Sequence, residues 1–170
     1  MNRSLKIVVS GPFGAGKTRL IKTISEIDVV TTERTITHRE KGMKRVTTVA
    51  MDFGRLTLGD DTLHLYGTPG QIRFEFMWEI LSHEMAGFVM LVDSTDPESF
   101  PHARELIDGF IADRAVPYVV AANKQDLDGA ASLARLRRAM DLSADVLVMP
   151  CVATRKTSVR QVLLQLAELI

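Results

Sequence analysis

Eight residues near the amino end, Gly11-Pro12-Phe13-Gly14-Ala15-Gly16-Lys17-Thr18, constrain the fold of this chain more than any other stretch. They fit the pattern G-x-x-x-x-G-K-[ST], which works only between a β-strand and a helix. Its glycines let successive backbone N–H groups turn inward around phosphate oxygens, and the helix amino terminus adds a favourable field. The flanks comply: Leu5 to Ser10 reads as a buried strand and Lys17 to Ile27 as a helix. Lys17 can reach the outer phosphates, and the Thr18 hydroxyl can ligate Mg²⁺. Alone, the loop says nucleoside triphosphate and no more, because kinases, ATPases and GTPases share it.

Beyond the loop, short apolar runs alternate with longer amphipathic segments. Strands are predicted at 46–58, 62–66, 87–93, 117–122 and 146–149, and helices at 72–83, 97–113, 130–140 and 158–169. Runs such as IVV, FVMLV and VVAA lack polar alternation, so their strands are expected to be covered on both faces of a largely parallel sheet. Residues Asp28 to Arg45 are polar with no clean period, and read as a long loop, either a disordered insertion or a mobile switch. At 170 residues and 46% hydrophobic, with no linker or repeat, the chain suits one domain over 1–170. Its 21 basic residues balance 21 acidic ones, which argues against a nucleic-acid binder. A single cysteine, Cys151, fits a reducing compartment, and no apolar run approaches the roughly 20 residues that span a bilayer. The expected setting is cytoplasmic.

A second motif, Asn123-Lys124-Gln125-Asp126, follows the strand ending at Ala122, at the carboxyl edge where such sheets bind ligands. An Asp carboxylate there can accept hydrogen bonds from N1–H and the exocyclic amine of guanine, whereas adenine presents an unprotonated N1. Asp126 would therefore select GTP over ATP, with Asn123 and the Lys124 stem holding base and loop.

With both motifs in this order, the chain resembles the Ras-like small GTPases along essentially its whole length. It looks closest to the bacterial MglA/CvnD-like branch, through Thr47-Thr48-Val49-Ala50-Met51-Asp52-Phe53-Gly54, Leu65-Tyr66-Gly67-Thr68-Pro69-Gly70-Gln71, Arg73-Phe74 and the tail Ser158 to Leu164. The resemblance implies a three-layer α/β P-loop NTPase fold, with a mostly parallel six-stranded sheet, one antiparallel edge strand and helices on both faces. It implies that GTP or GDP is held by Gly11, Phe13, Gly14, Ala15, Gly16, Lys17 and Thr18, by Gly70, and by Asn123, Lys124, Asp126 and Ala153. It makes Thr18 and Thr48 the Mg²⁺ ligands, Thr48 also sensing the γ-phosphate. Gln71 orients the attacking water, with Lys17 and Thr48 assisting the chemistry. A roadblock-type regulatory protein is the implied partner, with an exchange or activating factor and an effector at the switch surface.

Three departures from the family pattern bear on rate. Gly67 stands where the family has an Asp that acts on Mg²⁺ through water, leaving the metal to Thr18, Thr48, phosphates and water, or to Asp52 acting through water. Phe13 lies where many relatives have a glycine beside the γ-phosphate, and can obstruct an arginine finger supplied by a partner. Thr47 stands where MglA-type proteins have Arg, with Arg45 and Arg73 the nearest substitutes. The expectation is a GTP/GDP switch that hydrolyses slowly without a partner. The alternatives are a GTP-binding scaffold with little hydrolysis, and a P-loop kinase acting on a small molecule. Asn2 and the absence of a terminal C-a-a-X cysteine give no expected lipid anchor, so reaching a membrane falls to a partner.

Overall fold

A computed structural model of the chain describes residues 2–69 and 81–170. Its centre is a seven-stranded sheet in the order β2-β3-β4-β1-β5-β6-β7, formed by β1 (Ser4–Ser10), β2 (Val30–Glu40), β3 (Met43–Leu58), β4 (Asp61–Gly67), β5 (Gly87–Asp93), β6 (Tyr118–Asn123) and β7 (Leu147–Pro150). From β4 through β1, β5 and β6 to β7 every pairing is parallel, while β3 runs antiparallel to both β2 and β4.

Strand alternation sorts the core into two halves. Ile7, Val9, Val89, Leu91, Val119 and Ala121 point to one face, where helices α1 (Lys17–Ile24) and α4 (Lys156–Leu169) cover them. Val8, Met90, Val92 and Val120 point to the other, under α2 (Phe100–Ile111) and α3 (Leu133–Ala139). This explains the unbroken apolar runs: each side chain of a central parallel strand has a helix above or below it. In α1 the buried positions Lys17, Leu20, Ile21 and Ile24 follow the i, i+3, i+4, i+7 stripe of a helix lying on a sheet. Ser132 caps α3 by accepting from the Arg135 N–H.

The three-layer α/β fold agrees with the sequence reading; the strand count does not. Residues 30–40, expected to belong to a loop, form β2, and β3 begins three residues earlier than predicted to pair with it from Glu40↔Met43 to Val30↔Phe53. Lys41 and Gly42 turn the hairpin with φ of 50° and 78°, the doubly positive pattern that matches strand twist. Of the predicted helix at 72–83, residues 72–80 lie outside the described residues. Among the described residues no helix is long and apolar enough to cross a membrane.

Candidate functional site

The parallel strands end along one edge, and their loops meet there. The loop 11–16 leaves β1, Asp93 ends β5, Asn123 ends β6 as the direct parallel partner of Asp93, and Ala153 follows β7. The chain has thus brought its two sequence motifs together at the sheet's carboxyl edge.

Hydrogen bonds lock them to each other. The Asn123 side chain is buried; its Nδ2 donates to the Ala15 carbonyl at 2.8 Å and its Oδ1 accepts from the Ala153 N–H at 2.9 Å. Asn123 therefore works as a clamp between the phosphate loop and the loop after β7. Gly16, with φ of 103°, lies so close beneath it that a Cβ would stand 2.6 Å from Asn123 Nδ2. Replacing Asn123 with Ala should cost about 2–4 kcal/mol of stability, because it strips partners from two buried backbone groups. A fall in the midpoint of urea unfolding is the check.

Lys124 takes the left-handed conformation, φ 64°, and turns its ammonium back toward the phosphate loop. Its Nζ donates to the Gly14 carbonyl at 3.2 Å and to Asp93 Oδ2 at 2.6 Å. Partial burial alone would push the Asp93 carboxyl up, but bonds from Lys124 and Thr95 outweigh it and hold the carboxyl below its ordinary value. Gln125 donates to Ser94 Oγ and the Ala131 carbonyl, which fixes the base of the same turn. Asp126 comes next. It is exposed, and its carboxylate makes no bond with any other described residue.

At the phosphate end, Lys17 Nζ donates to the carbonyls of Gly11 and Pro12, at 2.5 and 2.9 Å. No carboxylate among the described residues pairs with it, and burial pulls its pKa down to about 8. A desolvated ammonium with only carbonyl partners is poised for an anion. Thr18 Oγ1 donates to Asp52 Oδ2, and Thr31 Oγ1 donates to Asp52 Oδ1 at 2.9 Å. Between the phosphate loop, Thr31, Asp52 and Gly67-Thr68-Pro69 lies a cleft of about 500 Å³. Phe13 stands at its lip, 72% exposed.

These residues fit a Mg²⁺-nucleoside phosphate. The loop supplies a cation and a backbone bent by Gly14 and Gly16, with φ of 78° and 103°, and Thr18 supplies a hard oxygen beside a carboxylate. Among the described residues no group of three or more His, Cys, Asp or Glu could cage a metal. Mg²⁺ takes one or two protein oxygens and leans on phosphates and water, and the Thr18 hydroxyl beside Asp52 offers oxygens of that kind.

Of the residues singled out from the sequence, Gly11, Phe13, Gly14, Ala15, Gly16, Lys17, Thr18, Asn123, Lys124, Asp126 and Ala153 converge on this edge. Thr48 is not brought to them. It is paired with Thr35 inside the β2–β3 hairpin, four residues before Asp52, about 13 Å along the strand. Gly70, Gln71 and Arg73 lie outside the described residues. Asp93 is the site residue that sequence reasoning passed over; its position at the end of a strand beside β6 was the available signal. Cys151 is buried, with burial pushing its thiol up to about 11, and is inert.

The profile of the family described as conserved hypothetical ATP binding protein matches residues 27–170, a span that begins after the phosphate loop. The uncharacterized protein MJ1339 of Methanocaldococcus jannaschii is 34% identical over 124 residues, covering 72% of this chain and 71% of that protein. ADP-ribosylation factor-related protein 1 of Bos taurus is 29% identical over 133 residues, covering 71% of this chain and 66% of that protein, so the chain spans a little under two thirds of that relative. Among solved structures, the Arl6 BBS3 small GTPase of Trypanosoma brucei with bound GppNp has the same fold, with a TM-score of 0.75 at 20% identity over 97% of this chain and 96% of that one. These relatives lend no support to the finer MglA/CvnD-like placement. The chain belongs to the family described as conserved hypothetical ATP binding protein, and it is similar in sequence to ADP-ribosylation factor-related proteins and in fold to the Arl6 small GTPase.

Proposed function

We propose that this chain is a guanine-nucleotide switch, which binds GTP and GDP with Mg²⁺ and hydrolyses GTP slowly. The observation that carries this reading is Asp126. Its carboxylate is exposed and bonds no other described residue, on a turn that Asn123 and Lys124 tie directly to the phosphate loop. A base-reading acceptor is thereby held in fixed register with a phosphate cradle. In the bound state, Lys17 and the backbone of 11–16 would hold phosphates, and Thr18 would face the metal. Mg²⁺, when present, neutralises phosphate charge. Thr48 would have to leave the β2–β3 ladder to reach the γ-phosphate, so the hairpin itself is the element a nucleotide would rearrange. A regulatory partner, of the roadblock type on the MglA-like reading, would meet the site at the lip beside Phe13. Slow hydrolysis rests on that exposed ring, which stands where a partner's arginine would have to enter.

The family's description speaks for adenine instead, so base identity is the deciding measurement. Chromatography of the nucleotide released by denaturing the purified protein should show GDP or GTP; ADP or ATP in its place overturns the reading.

Titration of Lys17 adds a pH signature. Its pKa is about 8 without nucleotide, and a neighbouring polyphosphate must raise it. Binding then takes up a proton at alkaline pH. Affinity for GDP should be flat below about pH 7 and fall by up to about tenfold per unit above about pH 8. Fluorescence titrations across that range check the sign; affinity that rises with pH would exclude Lys17 as the phosphate contact.

A further inference from the structure

Gly67 and Asp52 are direct cross-strand partners in the antiparallel pair β3–β4. Residues so placed send side chains to the same face of the sheet. A Cβ added at Gly67 would stand 2.8 Å from Ile21 Cδ1 and 3.3 Å from Asp52 Cβ, with Asp52 Oδ2 only 3.7 Å away. A side chain at Gly67 would press first on the tip of Ile21 and would crowd Asp52, so the two positions face the same part of the cleft. In this chain position 52 carries the carboxylate.

The carboxylate is also oriented. Thr31 holds Oδ1, and Thr18, the hydroxyl that follows the phosphate-loop lysine, holds Oδ2. A hydroxyl has one proton and two acceptor lone pairs. With its proton donated to Asp52, the Thr18 oxygen keeps its lone pairs for a cation, and the adjacent negative charge strengthens it as a donor to that cation.

We infer that Asp52, reaching in from β3, supplies the carboxylate of the Mg²⁺ site that position 67 lacks. The metal site has moved its acidic partner across a strand pair, and Gly67, with no side chain, does not crowd it. This explains why a departure from the family pattern at 67 coexists with an intact phosphate loop. It rests on the proposed nucleotide site but not on the identity of the base, since it concerns only the phosphate end.

The test follows release of a fluorescent nucleoside diphosphate from the full chain, in millimolar Mg²⁺ and in excess EDTA. Both guanine and adenine analogues are tried, and the one retained is used. In the unaltered protein Mg²⁺ should slow release about 10- to 100-fold. In Asp52→Asn most of that slowing should vanish, while release in EDTA stays within about threefold of the unaltered protein, because phosphate and base contacts remain. The double variant Asp52→Gly with Gly67→Asp returns the carboxylate to the opposite strand and should recover at least about tenfold of the slowing. If Asp52→Asn does not fold, Asp52→Ser is read in its place with the same expectation. Full Mg²⁺ slowing in the Asp52 variant overturns the inference, because Asp52 is then a strand residue that merely satisfies two threonines. Absence of any Mg²⁺ effect in the unaltered protein overturns it too. Failure of the unaltered protein to retain either nucleotide is a different result, which removes the nucleotide site itself.

Discussion

Lys17→Met should leave the fold standing and strip the chain of its nucleotide. The two effects separate because the Lys17 charge is a cost in the folded chain and a gain only when phosphate is present. Without ligand its ammonium is buried against the carbonyls of Gly11 and Pro12, and burial has already pulled its pKa down to about 8. Methionine keeps the apolar stem along the cleft and removes the desolvated charge. It also removes the donor from two carbonyls, so the terms offset and net stability should change by no more than about 1–2 kcal/mol. With a polyphosphate in the loop the balance reverses. Truncating one partner of a buried, hydrogen-bonded charge pair costs about 2–5 kcal/mol or more, which is at least about thirtyfold in affinity. Calorimetric titration with GDP beside a urea unfolding curve reads both quantities on one sample. Affinity within about threefold of the unaltered protein would show that Lys17 does not touch phosphate.

The same contrast between local pattern and long-range consequence decides what the sequence could reveal of the fold. Strands β1, β5 and β6 were legible because burial on both faces forces uninterrupted apolar runs, and the structure places them within a residue of expectation. Strand β2 was not. It packs at the sheet's edge, so neither face had to be continuously apolar, and no alternation marked it. A weaker signal was present: six of the eight residues from Val30 to Thr37 are β-branched, which suits an extended edge. Its turn, Lys41-Gly42, also lacked the Asn-Gly or Asp-Gly pair that announces a tight hairpin. Polarity and length suggested a loop, and ladder pairing with β3 overrode them.

At the site, the parts defined by contiguous chemistry were legible and those defined by register were not. Lys17, Thr18 and Asp126 follow from motifs whose spacing is fixed by a single loop. The partners that hold them come from other strands. Asp93 meets Lys124 only because β5 and β6 are parallel neighbours ending at Asp93↔Asn123. Asp52 meets Thr18 only because β3 crosses β4 at Gly67, a pairing no local window contains. Gly67 looked like a loss when read along the chain. Across the sheet it is the direct partner of Asp52, whose carboxylate stands beside Thr18.

The exposed end of the second motif gives the other large effect. Asp126→Asn should turn a guanine site into a xanthine site. Guanine offers two donors on the edge the carboxylate faces, N1–H and the exocyclic amine, and both bonds are charge-assisted. The amide keeps one acceptor and sets a donor against the guanine amine. Losing one such bond, the charge on the other, and setting two donors face to face costs about 3–6 kcal/mol, or about 10²- to 10⁴-fold in GDP affinity. Xanthine carries a carbonyl where guanine has its amine, so the amide meets it with the right polarity on both atoms and recovers most of that loss. Stability should hardly move, since Asp126 is exposed and bonds no other described residue, whereas Asn123 and Lys124 keep the turn clamped to the phosphate loop. Competition of GDP, xanthosine diphosphate and ADP against one fluorescent nucleotide measures all three preferences together. A variant whose GDP affinity is unchanged places the base away from Asp126. A site that prefers ADP before and after the substitution assigns the cleft to adenine, as the family's description has it, and leaves the clamp of Asn123 and Lys124 as a phosphate-loop brace alone.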